Sequence, residues 1–273
     1  MIETLPLFRP LNQKLIALLV SLPKNDWNKK TVAGNWKVKD VAAHLLDINI
    51  RFISGHRDGW ELKPDEKIYG YQDLVNYLNL LNADWVNAMK RVSSEILVTW
   101  LTQTHEDYIS GLEKLDPEAP AKFSVAWAGE EISANWFHVA REFTEKWHHQ
   151  QQIRDAVDQP GILTKEFYKP VLDTFFRALP HNYKNISAPE KTCIQLSIDS
   201  EAGGTWFLNR EKGQWVLANN AIHEPMVKIS LPVDLSWKLF TKAVKFGDVK
   251  KSIIIDGEVK FALPALQMVT VMA

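Results

Sequence analysis

The 273-residue chain has almost no cysteine: Cys193 stands alone. One thiol excludes an intrachain disulfide and any zinc finger built on cysteine. A metal would therefore have to be held by histidines and carboxylates. An excess of charge of either sign is missing too, with 32 Lys+Arg against 33 Asp+Glu and a net charge of −1. Bulk charge then recruits neither nucleic acid nor an anionic membrane surface, and neither partner is expected. Long apolar runs are absent as well. Leu15 to Leu22 is the longest strongly apolar stretch, too short to span a bilayer. The first ten residues carry Glu3, Pro6 and Pro10 and lack a basic stretch followed by an apolar core, so no signal peptide is read. With a lone cysteine, these absences point to a soluble, cytoplasmic protein. Internal repeats and low-complexity tracts are lacking.

What is present is an ordinary globular composition, 46% apolar and 24% charged. The length favours two domains. Eleven tryptophans are many for this length. They fit a core built on large aromatics, with some available to line a ligand cleft.

Apolar spacing up to about Val157 is mostly helical. Pro10 to Leu22 predicts a first helix and Val38 to His56 a second. Gln72 to Leu115 reads as a third helical span, longer than most globular helices, with a break expected near Trp100 to Thr104 or a split into two helices. A loop with Pro117, Pro120 and Gly129 precedes the fourth helix, Ser133 to Val157, with Ser133 as its expected N-cap. After Asp158-Gln159-Pro160-Gly161 the pattern changes. One helix (Lys165 to Leu179) is followed by short β-type runs at Thr192–Ile198, Thr205–Leu208, Gln214–Ala218, Val227–Leu231 and Ser252–Ile255. Helices at Val233–Lys245 and Glu258–Met272 complete the pattern. The fold class is α+β overall. A four-helix bundle over residues 1–158 precedes a smaller α+β domain over 159–273 with a mostly antiparallel sheet.

Of the eight histidines, His56, His105, His138, His181 and His223 carry no pattern. The fourth helix is different: it holds Glu142, Glu145, His148 and His149. Glu145 and His149, four apart, share a helix face and can approach one ion. The same spacing also describes a solvated Glu–His pair, and both readings stand at this point. His148 is rotated about 100° from His149 on the wheel and is expected to serve another role. His44 lies on an apolar face of the second helix, as a core histidine or as a ligand aimed into the bundle. Asp40 and Asp47 are positioned to orient its second ring nitrogen.

Two stretches resemble one family. Trp36-Lys37-Val38-Lys39-Asp40-Val41-Ala42-Ala43-His44-Leu45 resembles the second helix of the DinB-like superfamily, and more narrowly the N-terminal domain of mycothiol-dependent maleylpyruvate isomerases. Trp127-Ala128-Gly129, then Ser133, then Glu145-Lys146-Trp147-His148-His149 resembles that family's loop and Glu-x-Trp-x-His helix. The resemblance implies a DinB-like bundle holding a divalent metal through His44, Glu145 and His149, zinc first, with nickel, iron or manganese as alternatives. Glu145 points to the isomerase branch, because a DinB-type site more usually has histidine there. The family's Asp after Gln is Gln152 here. The C-terminal part is similar to a sterol-carrier-like domain.

The implied function is a thiol-dependent transferase or isomerase acting on a small electrophilic substrate, with a low-molecular-weight thiol as cosubstrate. Trp127 and Arg154 are the expected substrate-binding residues; no catalytic residue is assigned. Two alternatives are a metal-dependent hydrolase and a small-molecule or lipid-binding protein with a structural metal. The expected assembly is a monomer or a homodimer.

Overall fold

The computed structural model describes residues 1–64 and 67–272. The chain divides into two compact units, one of Thr4–Ala119 with Glu145–Gly161, the other of Pro120–Thr144 with Ile162–Val271 and the first three residues.

The first unit is helical: α1 (Phe8–Ser21), α2 (Val38–His56), α3 (Tyr71–Met89), α4 (Ser94–Glu113) and the later part of α5 (Asn135–Val157). Each helix follows from its apolar spacing. In α1, Phe8, Leu11, Leu15, Leu18 and Leu19 recur every three or four residues and are all buried. Leu15, Leu18 and Leu19 meet Val38, Val41, Ala42 and Leu45 of α2, Leu97 and Leu101 of α4, and Ile153 and Val157 of α5 in one core. α2 starts at Lys37, whose backbone N–H donates to the Asp40 carboxylate at 2.9 Å. That spends one of the helix's unpaired N-terminal donors on an acidic first turn.

The long third span is two helices, and the break falls at Lys90–Ser93 instead of Trp100–Thr104. Ser93 makes the break, because its Oγ accepts the Ile96 N–H at 3.2 Å as an N-cap. The threonine-rich stretch further on stays helical. The hydroxyls of Thr99, Thr102 and Thr104 donate to the carbonyls of Glu95, Val98 and Trp100, which keeps them inside the helix.

α5 is tied to α2 and α1 by cations. Lys146 Nζ donates to the Leu45 carbonyl at 3.0 Å and to Asn49 Oδ1 at 2.5 Å, and lies 4.6 Å from the centre of the Tyr108 ring. One further turn or two along, Arg154 donates to the Lys14 carbonyl at 2.9 Å. No helix among the described residues is long and apolar enough to cross a membrane.

The second unit holds a five-stranded sheet: β1 (Cys193–Asp199), β2 (Gly204–Glu211), β3 (Gln214–Ala218), β4 (Val227–Pro232) and β5 (Ile254–Asp256). The order is β3-β2-β1-β4-β5, antiparallel except where β1 and β4 run parallel. Strand alternation puts Ile194, Leu196 and Ile198 on one buried face with Trp206, Leu208, Val227, Ile229 and Leu231. The helices are α6 (Lys165–Phe176), α7 (Leu179–Tyr183), α8 (Val233–Phe240), α9 (Phe246–Val249) and α10 (Val259–Leu266). Phe176 meets Trp206 at 4.5 Å and Phe240 at 5.3 Å between ring centres. The helix expected over Lys165–Leu179 breaks after Phe176, and the last two helices stop short of the periodic pattern. Ser133 is not the cap of α5. Its Oγ accepts the Val125 N–H at 2.8 Å, and the Ala134 carbonyl takes the first helical N–H groups.

One core group makes the helical unit acid-sensitive. His105 of α4 is buried, and its Nε2 has no hydrogen-bond partner. Burial, helped by the charges of Lys146 and Arg9, pushes its pKa down from 6.5 to about 3. Below pH 6.5 the unfolded chain takes up a proton there that the folded chain refuses. Stability therefore falls as pH drops from 6.5 towards 3, by at most ~1.4 kcal/mol per pH unit for this group. His105→Gln should flatten the dependence of the unfolding midpoint on pH across that window, as measured by denaturant titration at several pH values. An unchanged slope would remove His105 from the account.

Candidate metal centre

The cluster is built from the middle of α5 and the first half of α2. On α5, Glu145 and His149 are one turn apart, with His149 Nε2 3.5 Å from Glu145 Oε2. From α2, His44 brings its ring to 4.6 Å from that of His149, edge on. Trp36, just before α2, lies 5.1 Å from His44 and 6.5 Å from His149 and walls the pair. His44 and His149 are 6% exposed each, so both imidazoles sit away from bulk water.

His44 is held neutral. Burial comes first, and the neighbouring Arg51 and Lys146 charges add to it, driving its pKa well below the ordinary histidine range. Its Nδ1 is buried without a hydrogen-bond partner. The expected orienting carboxylates do not reach it: Asp40 caps α2, and Asp47 pairs with Arg51 at 2.9 Å. Burial raises the Asp47 pKa, and Arg51 and Lys146 oppose the shift.

His149 is oriented from its own helix. Its Nδ1 lies 2.9 Å from Gln152 Oε1. An amide oxygen only accepts, so the contact places a proton on Nδ1 and leaves Nε2 as the nitrogen turned to Glu145. Imidazole nitrogen and carboxylate oxygen are the donor types a divalent cation takes, and the orphaned nitrogen of a neutral His44 fits the same need.

His148 is not turned away as the wheel implies. Its Nδ1 is 3.7 Å from Glu145 Oε2, and its ring centre is 3.9 Å from that of His149. Among the described residues, the Glu145, His148 and His149 ligand atoms form a group within 4.8 Å of one another. A helical wheel places Cβ atoms, whereas imidazole tips reach beyond them and can lean together. His148, Gln152 and Trp36 are the residues that spacing did not assign to the site. The only prior signal was Gln152 standing where the resembling family has Asp, and Trp36 opening the first resembling stretch.

The two expected substrate residues have contacts of their own. Trp127 belongs to the sheet-bearing unit, buried in a short turn with its ring 6.0 Å from Phe137 and its Nε1 unpartnered. Next to it, Gly129 has φ +80°, and a Cβ there would strike the His181 ring. Arg154 is spent on main-chain carbonyls, those of Gln159, Pro160 and Lys14. His138 and Glu142, on the same stripe of α5, engage Arg141.

The family model of the mycothiol maleylpyruvate isomerase N-terminal domain matches residues 8–154, more than half of the chain. Among solved structures, a mutant of the mycothiol-dependent maleylpyruvate isomerase is similar over 93% of this chain and 92% of its own, with 10% identity and a TM-score of 0.55. The mycothiol-dependent maleylpyruvate isomerase itself is similar over the same shares, with 11% identity and a TM-score of 0.50. A sterol carrier protein 2 like 2 from Aedes aegypti aligns with 36% of this chain and 95% of its own, at 15% identity and a TM-score of 0.28. No curated protein matches the chain.

Gln152 offers a direct check of the site. Gln152→Leu removes the acceptor that fixes the His149 ring and should weaken divalent-metal binding ~10–100-fold, the usual effect of losing an orienting partner. Gln152→Glu, which keeps an acceptor, should bind at least as tightly as the parent. Chelator competition with the two variants reads this, and equal affinities for Leu and Glu would sink the assignment.

Proposed function

Because the chain belongs to the mycothiol maleylpyruvate isomerase N-terminal domain family, we propose that it is a divalent-metal enzyme. In this reading it uses a low-molecular-weight thiol to isomerise, or to transfer that thiol onto, a small electrophilic substrate. The observation that carries the reading is the approach of the buried His44 ring from α2 to the buried His149 ring on α5, with Glu145 3.5 Å from His149 and the His44 Nδ1 without a hydrogen-bond partner.

Each residue has a stated task. His44, Glu145 and His149 hold the ion, zinc, nickel, iron or manganese being compatible with nitrogen and oxygen donors. Gln152 keeps the His149 proton on Nδ1. The Trp36 ring covers one side of the two imidazoles and keeps water from them. When bound, such an ion lowers the pKa of a thiol so that thiolate is present near neutral pH. Cys193 does not supply that thiol. It is buried at the start of β1, and burial raises its pKa. The sulfur must come from a small molecule.

Elemental analysis of purified, metal-reconstituted protein should give a stoichiometric divalent ion. His149→Ala and His44→Ala should lose it on dialysis while circular dichroism keeps the helical signal. Thiol addition to electrophiles should then require both metal and thiol. A chain that binds no metal would end this reading, and metal-dependent hydrolysis without added thiol would replace it with a hydrolase.

A further inference from the structure

We infer that His148 is a fourth protein donor to the metal centre, beside His44, Glu145 and His149, an inference that rests on the metal reading above. Four observations converge on it. His148 is 3% exposed, so its imidazole is not a surface group. Its Nδ1 comes to 3.7 Å from Glu145 Oε2. Its ring leans to 3.9 Å from that of His149, although consecutive helical residues leave the axis about 100° apart. The ligand atoms of all three α5 residues lie within 4.8 Å of one another. Two donors sharing one ion at about 2.0–2.2 Å each are separated by up to roughly twice that length. The contact from His148 to Glu145 is already inside that limit.

The donor count has a chemical consequence. Three imidazoles and one carboxylate fill the four positions that zinc ordinarily offers. An exogenous thiol would then have to take a fifth position, into which zinc can expand and which nickel, iron and manganese accept more readily. This sets the chain apart from a three-donor site, in which zinc keeps an open position.

The test uses the full chain, stripped with chelator and loaded with Ni²⁺ or Zn²⁺. X-ray absorption should count three imidazoles in the parent and two in His148→Ala. Chelator competition should show the variant holding either ion at least ~10-fold more weakly, a difference of about 1.4 kcal/mol. His148→Phe, which fills the same volume without a donor, should behave like His148→Ala. Circular dichroism of the metal-free variants verifies folding. Two imidazoles in the parent, with unchanged affinity in both variants, would overturn the fourth donor and leave the three-ligand centre standing. A parent chain that retains neither ion would overturn both.

Discussion

The ammonium of Lys146 sets the register of α5 against α2. A half-buried cation is stable only where hydrogen bonds replace the water it has lost. This one finds the Leu45 carbonyl, Asn49 Oδ1 and the face of Tyr108 at a single position along the groove. Sliding α5 by one residue would move Nζ by about 1.5 Å along the axis and turn it by about 100°. Both acceptors would be lost. Asn49 is fixed in turn, donating to Thr104 Oγ1 at 2.9 Å, so α4 takes part in the same constraint. With that register held, His149 faces His44, the residue just before Leu45.

A helix pair locked in this way explains why the histidine cluster persists in a bundle that is otherwise apolar. The rest of the core adds area but little register, because Val, Leu and Ala surfaces slide past one another with small changes in burial. Arg154 then closes the far end, gathering carbonyls from α1 and from the turn that ends the unit.

Much of this was legible in the residues. Helical spacing located α1, α2 and α5, and alternation located the five strands, because one buried face per element leaves a periodic trace. The spacing of four put Glu145 and His149 on one helix face, but only the family resemblance, not an apolar face, singled out His44 beside them. The unreadable features were those decided by a side chain's far end or by a partner distant in sequence. Asp40 could equally have oriented His44 or capped its own helix, and the empty Lys37 N–H decided it. Ser93 ended a helix that Trp100 to Thr104 seemed better placed to end, since threonines can satisfy their hydroxyls from within a helix. Ser133 met a loop N–H and left the cap to Ala134. His148 depended on χ angles that a wheel does not contain.

The neutrality of His44 bears on how an ion would be captured, were the proposed centre to bind one. A metal site normally competes with protons for its histidines, and its apparent affinity drops as the medium acidifies. Here burial, helped by the nearby Arg51 and Lys146 charges, keeps one imidazole neutral. On the proposed reading, an ion arriving at that nitrogen would have no proton to displace, and its capture there would depend less on pH than at an exposed histidine.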